Sequence, residues 1–345
     1  MHRPIVPLLV GISIALGVFF LLNLLLGSVS IPLRAICEML LGNEEHPVVW
    51  QNILWKSRVP QALTALVAGA ALSVSGLQMQ TVFRNPLADP SVLGVSAGAS
   101  LGVAFVVLLS GAIGGVALSR LGYLGEIALS VAAIIGSLSV LALIVFISTK
   151  VKGNVTLLII GVMIGYVANA IIGVLKFFSV EEDIRAYVIW GLGSFARVSG
   201  DQMLLFVTLM VLLIPLSFLL IKTMNLLLLG SNYARNLGLN IHRARLLVIL
   251  SAGILVAIVT AYCGPIMFIG LAVPHLARAI FRSSDHRVLM PATVLIGATL
   301  ALACNLIARM PGFEGALPLN SVTALIGAPV VASVLFRKRK EEMNE

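Results

Sequence analysis

Ten long apolar runs, punctuated by glycine, proline and short charged loops, constrain this 345-residue chain more than any other feature. They lie near 5–27, 61–81, 92–112, 127–149, 155–177, 202–221, 246–263, 265–281, 288–308 and 321–336. A run of about 20 apolar residues is what a helix needs to cross the hydrocarbon core. No water reaches that core, so each run has to satisfy its own backbone, and helices do so segment by segment. A membrane β-barrel would instead show short alternating segments. The expected fold is therefore all-α and polytopic, with about ten transmembrane helices in one transmembrane domain over 1–345. The run at 265–281 is the least regular: Gly264-Pro265 interrupts it and Pro274 is expected to break it again.

Composition agrees. Hydrophobic residues make up 59% of the chain and charged ones 11%, and the mean hydropathy is +1.08. The net charge of +9 does not mark a nucleic-acid binder, because the basic residues sit in short loops between apolar runs. Their distribution reports orientation. With the N-terminus cytoplasmic, fifteen Lys and Arg lie inside and eight outside, which fits ten spans with both ends in the cytoplasm. The first run follows His2 and Arg3, exceeds a signal-peptide core in length and lacks a small-residue cleavage pattern, so it reads as a retained span.

Two connections are long enough to hold structure. The outside loop 28–60, with Trp50 and Trp55, reads as an interfacial segment carrying aromatic anchors. The inside loop 222–245 contains a short helical pattern bracketed by Gly230 and Gly238.

Chemistry is sparse. No Lys follows a Gly, so the phosphate-cradling loop of ATPases is absent. His2, His46, His242, His275 and His286 show no metal-ligand spacing, and Cys37, Cys263 and Cys304 read as small apolar fillers. No catalytic, cofactor or metal site is expected. The runs also lack the buried carboxylates of a proton or ion relay, and Lys176 sits where it can snorkel. Gly94, Gly98 and Gly102 recur every four residues, as do Gly161 and Gly165, which allows helices to approach closely.

The segment Arg84-Asn85-Pro86-Leu87-Ala88-Asp89-Pro90 places two prolines four apart. They stop a helix and fix a tight inside turn, in which Asn85 and Asp89 can bond exposed backbone groups. This motif, continued by Leu93-Gly94 and Ser96, resembles the FecCD family of permeases of ABC importers for iron siderophores, haem and vitamin B12. So do the stretch Gly264-Pro265 to Pro274-His275 and Arg278, and the triplet Asp285-His286-Arg287. The resemblance runs from about Arg58 to Pro329.

The resemblance implies a homodimeric permease with a central pathway in a bacterial inner membrane. Two cytoplasmic ABC ATPase subunits and a periplasmic substrate-binding protein are its implied partners, and no nucleic acid is. It implies that Gly230, Tyr233, Ala234, Arg235, Leu237 and Gly238 form the ATPase-coupling helix, whose small Ala234 and Gly238 let it seat in a cleft of the partner, where Arg235 can pair. Asn85, Pro86 and Leu87 would narrow the cytoplasmic end, joined by Ser148 and Thr149. Arg58 and Arg309 would contact the binding protein. Four departures weaken the docking assignment: Gln61 and Asn305 replace charged residues of the relatives, their Glu-x-Pro-x-Gly is Ala316-Leu-Pro318-Leu-Asn320, and Glu314 is displaced. The rival reading is an ion-coupled secondary transporter acting without an ATPase, which would need its own coupling site in the membrane.

Overall fold

The computed structural model describes residues 5–27, 29–42, 46–112, 123–151, 153–198, 200–310 and 316–342. Glu314, one of the four departures, lies outside them. The helices are α1 Ile5–Leu25, α2 Leu33–Leu40, α3 Val48–Ile53, α4 Val59–Phe83, α5 Val95–Ala112, α6 Tyr123–Lys150, α7 Asn154–Phe177 and α8 Glu181–Gly191. They continue with α9 Gly200–Phe218, α10 Ile221–Leu228, α11 Ser231–Asn236, α12 Ile241–Cys263, α13 Ile269–Phe281, α14 His286–Ala308 and α15 Leu319–Glu342. No strand occurs among the described residues.

Six of these helices are long and apolar enough to cross a membrane. The pair α9 and α10 adds one span bent by 47°, and three shorter apolar helices lie within α5, α13 and α15. Together they account for the ten expected runs.

α4 is the axis of the bundle, packing against α9, α12, α13 and α14. It is buried on all sides and carries Thr64, Ser73, Ser75, Gln78, Gln80 and Thr81. Several of those polar groups find partners on other helices: Ser75 Oγ donates to Ala252 O at 2.8 Å, and Gln78 Nε2 bonds Ser251 at 2.9 Å. α1 is the opposite case, apolar all round and facing outward except where it meets α14. There Asn23, fully buried, donates to Leu302 O at 3.0 Å and accepts from Asn305 at 2.8 Å. Asn305, one of the departures, is thus a tie between helices.

Backbones touch where side chains are missing. A Cβ on Gly76 would lie 1.8 Å from Gly270 O, one on Gly69 would lie 2.3 Å from Gly297 O, and one on Gly102 would lie 2.1 Å from Ala132 O. α4 therefore contacts α13 and α14, and α5 contacts α6, at backbone distance. Gly98 and Gly102 serve the close approach their spacing suggests. Gly165 meets nothing within 4 Å, and Gly94 instead takes a left-handed φ of 77° ahead of α5.

The irregular stretch at 265–281 differs from its sequence reading. Gly264, at φ 77°, turns the chain so closely under α8 that a Cβ would lie 2.6 Å from Trp190 O. α13 then begins at Ile269 and runs through Pro274 unbroken. Proline there leaves the Gly270 carbonyl without its helical donor, and that carbonyl is the one set against Gly76.

Candidate functional site

At one end of the bundle, α4 stops as Arg84 takes a left-handed φ of 48°. The turn that follows closes on itself: Asn85 Oδ1 accepts from Leu87 N at 2.9 Å, and Ala88 N donates to Asn85 O at 3.0 Å. Asp89 Oδ1 accepts from Ser91 N at 2.8 Å, capping a 3₁₀ turn over Pro90–Leu93. Burial pushes the Asp89 carboxyl above the usual carboxylate range. From α13, His275 Nε2 bonds Pro86 O at 2.7 Å. The turn is a rigid, proline-fixed feature with Leu87 exposed at its tip.

Ser148 and Thr149 end α6, but their hydroxyls bond back to Val145 O and Phe146 O of their own helix, at 2.8 and 2.7 Å. Ser148 is buried and Thr149 exposed.

The short helix expected between Gly230 and Gly238 is α11. It opens at Gly230 with φ 107° and closes at Gly238 with φ 83°. Tyr233, Arg235, Leu237 and Gly238 are exposed. Ala234 is fully buried within the chain itself. Its amide donates to Gly230 O and its carbonyl accepts from Leu239 N. A six-residue helix has one inward face, and the smallest side chain fills it. An apolar Tyr and Leu flanking a cation on the free face make a surface suited to a partner.

The opposite end of α4 is organised by two arginines. Arg58 is 1% exposed, and its guanidinium donates to Leu24 O at 2.6 Å, Leu25 O at 2.9 Å and Val29 O. It satisfies the carbonyls that α1 leaves open at its C-terminus. Arg309 approaches the same spot: the two guanidinium groups lie 3.1 and 3.3 Å from where a Cβ on Gly27 would be. Burial and the neighbouring Arg58 charge hold the Arg309 pKa below its ordinary value. Arg309 also lines a cavity of about 260 Å³ with Gln61, Ser194, Asn305 and Pro318. Of the two arginines expected to meet a binding protein, Arg58 is committed to α1 and Arg309 faces the cavity.

Sequence reasoning missed Asn320 as a functional side chain. Its Nδ2 donates to Pro265 O at 2.7 Å and Gly191 O at 3.2 Å, while its Oδ1 accepts from Met267 N at 3.1 Å. One carboxamide thus joins α8, the entry to α13 and the start of α15. The only signal in the sequence was its appearance as a departure.

Apolar helices packed about and beside the polar-cored α4, with a fixed turn and an exposed short helix at one end, give the described residues the architecture of a polytopic membrane protein. The chain belongs to the FecCD transport family, whose pattern matches residues 14–337. It is 35% identical over 331 residues to the vitamin B12 import system permease protein BtuC of Klebsiella pneumoniae, covering 96% of this chain and 94% of that one. It is 36% identical to the hemin transport system permease protein HmuU of Yersinia pestis, covering 85% and 84%. A solved inward-facing structure of a metal-chelate type ABC transporter superposes with a TM-score of 0.82 at 30% identity, covering 96% of this chain and 99% of that one.

Proposed function

We propose that this chain is the permease subunit of a binding-protein-dependent ABC importer that carries a metal chelate, an iron siderophore, haem or cobalamin, into the cytoplasm by ATP-driven alternating access. In this reading it sits in a bacterial inner membrane with both ends cytoplasmic. Two copies pair around a central pathway, two ATPase subunits bind α11, and a periplasmic binding protein meets the Arg309 face. The observation that carries it is the exposed Tyr233, Arg235 and Leu237 of α11, at the same end of the bundle as the Asn85–Leu87 turn. A partner driven by ATP gains a handle there, and tilting a short helix passes a rigid-body change to the spans. The relatives' names supply the cargo class.

An ion-coupled transporter is the weaker reading, because no spanning helix carries Asp or Glu outside its terminal turns. The test is reconstitution of the permease in vesicles with its ATPase and binding protein. Uptake of cobalamin, haemin or a ferric hydroxamate should require ATP. Uptake on an ion gradient with no ATPase present would defeat the reading.

A further inference from the structure

α10 leads directly into α11, and Asn225 is its bonding residue. The Asn225 Nδ2 donates to Asp285 Oδ1 at 2.6 Å. Its Oδ1 accepts from the His286 amide at 2.9 Å and lies 2.7 Å from His286 Nδ1. A carboxamide oxygen can only accept, so the ring proton sits on Nδ1. Nε2 of His286 is then an acceptor, and Thr81 Oγ1 in the last turn of α4 lies 2.8 Å from it, its one proton shared between Nε2 and Leu77 O at 2.7 Å. His286 is 1% exposed, and its bond to Thr81 is buried, with no water to replace it.

Three neighbouring bonds complete the connection. Arg84, which ends α4, donates to Leu227 O of α10 at 2.6 Å across 143 residues of sequence. Arg278 of α13 bonds Gln80 Oε1 of α4. One turn earlier in α13, His275 holds Pro86 O of the gate turn. The helix that carries α11 and the turn that ends α4 are therefore bonded side to side, through groups whose desolvation makes a broken link costly.

We infer that the Asn225–His286–Thr81 relay is the positioning element that transmits displacement of α10 and α11 to the Arg84–Leu87 turn, so that partner movement and gate movement are one event. The inference rests on the ATPase-driven reading above. Thr81, Asn225 and His286 are positioning residues, since none lies on the exposed face of α11. In a chain without the relay, the Arg84–Leu227 bond alone would tie α10 to the turn, and more ATP would be hydrolysed for each cargo moved.

The test uses the full permease–ATPase–binding protein complex in vesicles, carrying whichever of cobalamin, haemin and a ferric trihydroxamate the wild type transports. Thr81→Val removes the hydroxyl at nearly constant volume, and Thr81→Ser restores it. Thr81→Val and Asn225→Ala should keep ATPase binding and hydrolysis but move about tenfold less cargo per ATP, the scale of one lost buried hydrogen bond, and Thr81→Ser should recover the wild-type ratio. An unchanged cargo-to-ATP ratio in both variants overturns the relay. So does loss of ATPase binding in Thr81→Val, which would make the cluster part of the dock. A second measurement needs no ATPase: amide exchange of residues 84–94 in the permease alone should accelerate in Asn225→Ala. Unaltered exchange overturns the relay even if the ATPase reading stands, whereas a wild type that binds no ATPase but shows the exchange effect sinks only that reading.

Discussion

The guanidinium of Arg58, at the start of α4, donates to the carbonyl of Leu24 in the last turn of α1 at 2.6 Å. Leu25 O of the same helix end and Val29 O in the loop beyond it share that group. Arg58→Met is predicted to cost about 3 kcal/mol, the scale of stranding a few half-buried carbonyls. Arg58→Lys should recover only part of it, because an ammonium lacks the planar fork. Thermal unfolding in detergent reads both, and an Arg58→Met protein as stable as wild type would refute the capping role.

Arg309 gives the complementary prediction. Arg309→Glu should weaken association with the binding protein, with the loss largest at low salt, since the contact is charged and solvent-facing. The unfolding midpoint should move little, because removing Arg309 also relieves repulsion with Arg58. Titration calorimetry at two ionic strengths measures this, and wild-type affinity at both would return Arg309 to an interfacial role.

On α11 the partner-facing and self-facing residues separate. Tyr233→Ala with Leu237→Ala should abolish ATPase co-purification while leaving the melting temperature within error, because both side chains are exposed. Ala234→Leu should lower the melting temperature first, because its site is closed by its own chain. An unaffected co-purification in the double variant would move the dock elsewhere.

The Gly76 site tests the backbone contact of α4 with α13. Gly76→Ala forces a methyl against the Gly270 carbonyl, 1.8 Å away, and should cost more than about 3 kcal/mol. Gly165→Ala meets open space and should be neutral or stabilise by up to about 1 kcal/mol. Equal effects of the two on folded yield would contradict the packing.

Asp89 carries a pH dependence whose sign can be fixed. Its carboxyl is held above the ordinary range by burial, so its contribution to stability is present at low pH and is lost as pH rises through the folded-state pKa. Asp89→Asn keeps the cap on Ser91 without the charge, and its stability relative to wild type should rise between pH 4 and 8. Asp89→Ala should follow the same pH trend but lie about 1 kcal/mol below Asp89→Asn throughout, for loss of the cap. Unfolding curves at the two pH values decide it, and an Asn variant that falls behind wild type at high pH would reverse the argument.

The spans were legible because lipid imposes one requirement on every residue of a helix exposed to it, and α1 or α7 shows that requirement in sequence as a continuous apolar run. The Asn85–Asp89 turn was legible because two prolines and two side-chain acceptors act locally. What was not legible depends on contacts distant in sequence. Arg58 looks like any loop cation until Leu24 is seen to be beside it, and Ala234 looks like a contact residue until its burial is known. Pro274 looks like a breaker until Gly270 and Gly76 absorb the freed carbonyl. Asn320 and the Thr81–His286 pair are bonded across 55 and 205 residues, and no local pattern announces such partners.

The polar interior of α4 bears on how the protein is made. A helix whose Ser75, Gln78, Gln80 and Thr81 are matched by α12, α13 and α14 has little to gain from lipid and much to lose before those partners exist. Three of its four packing neighbours are synthesised more than 150 residues later. During biogenesis α4 must therefore either wait beside the insertion machinery or sit in the bilayer with unmet hydrogen bonds. Truncated chains ending before Ile241 should thus be recognised by membrane quality control, whereas the same truncation with α4 made apolar should escape it.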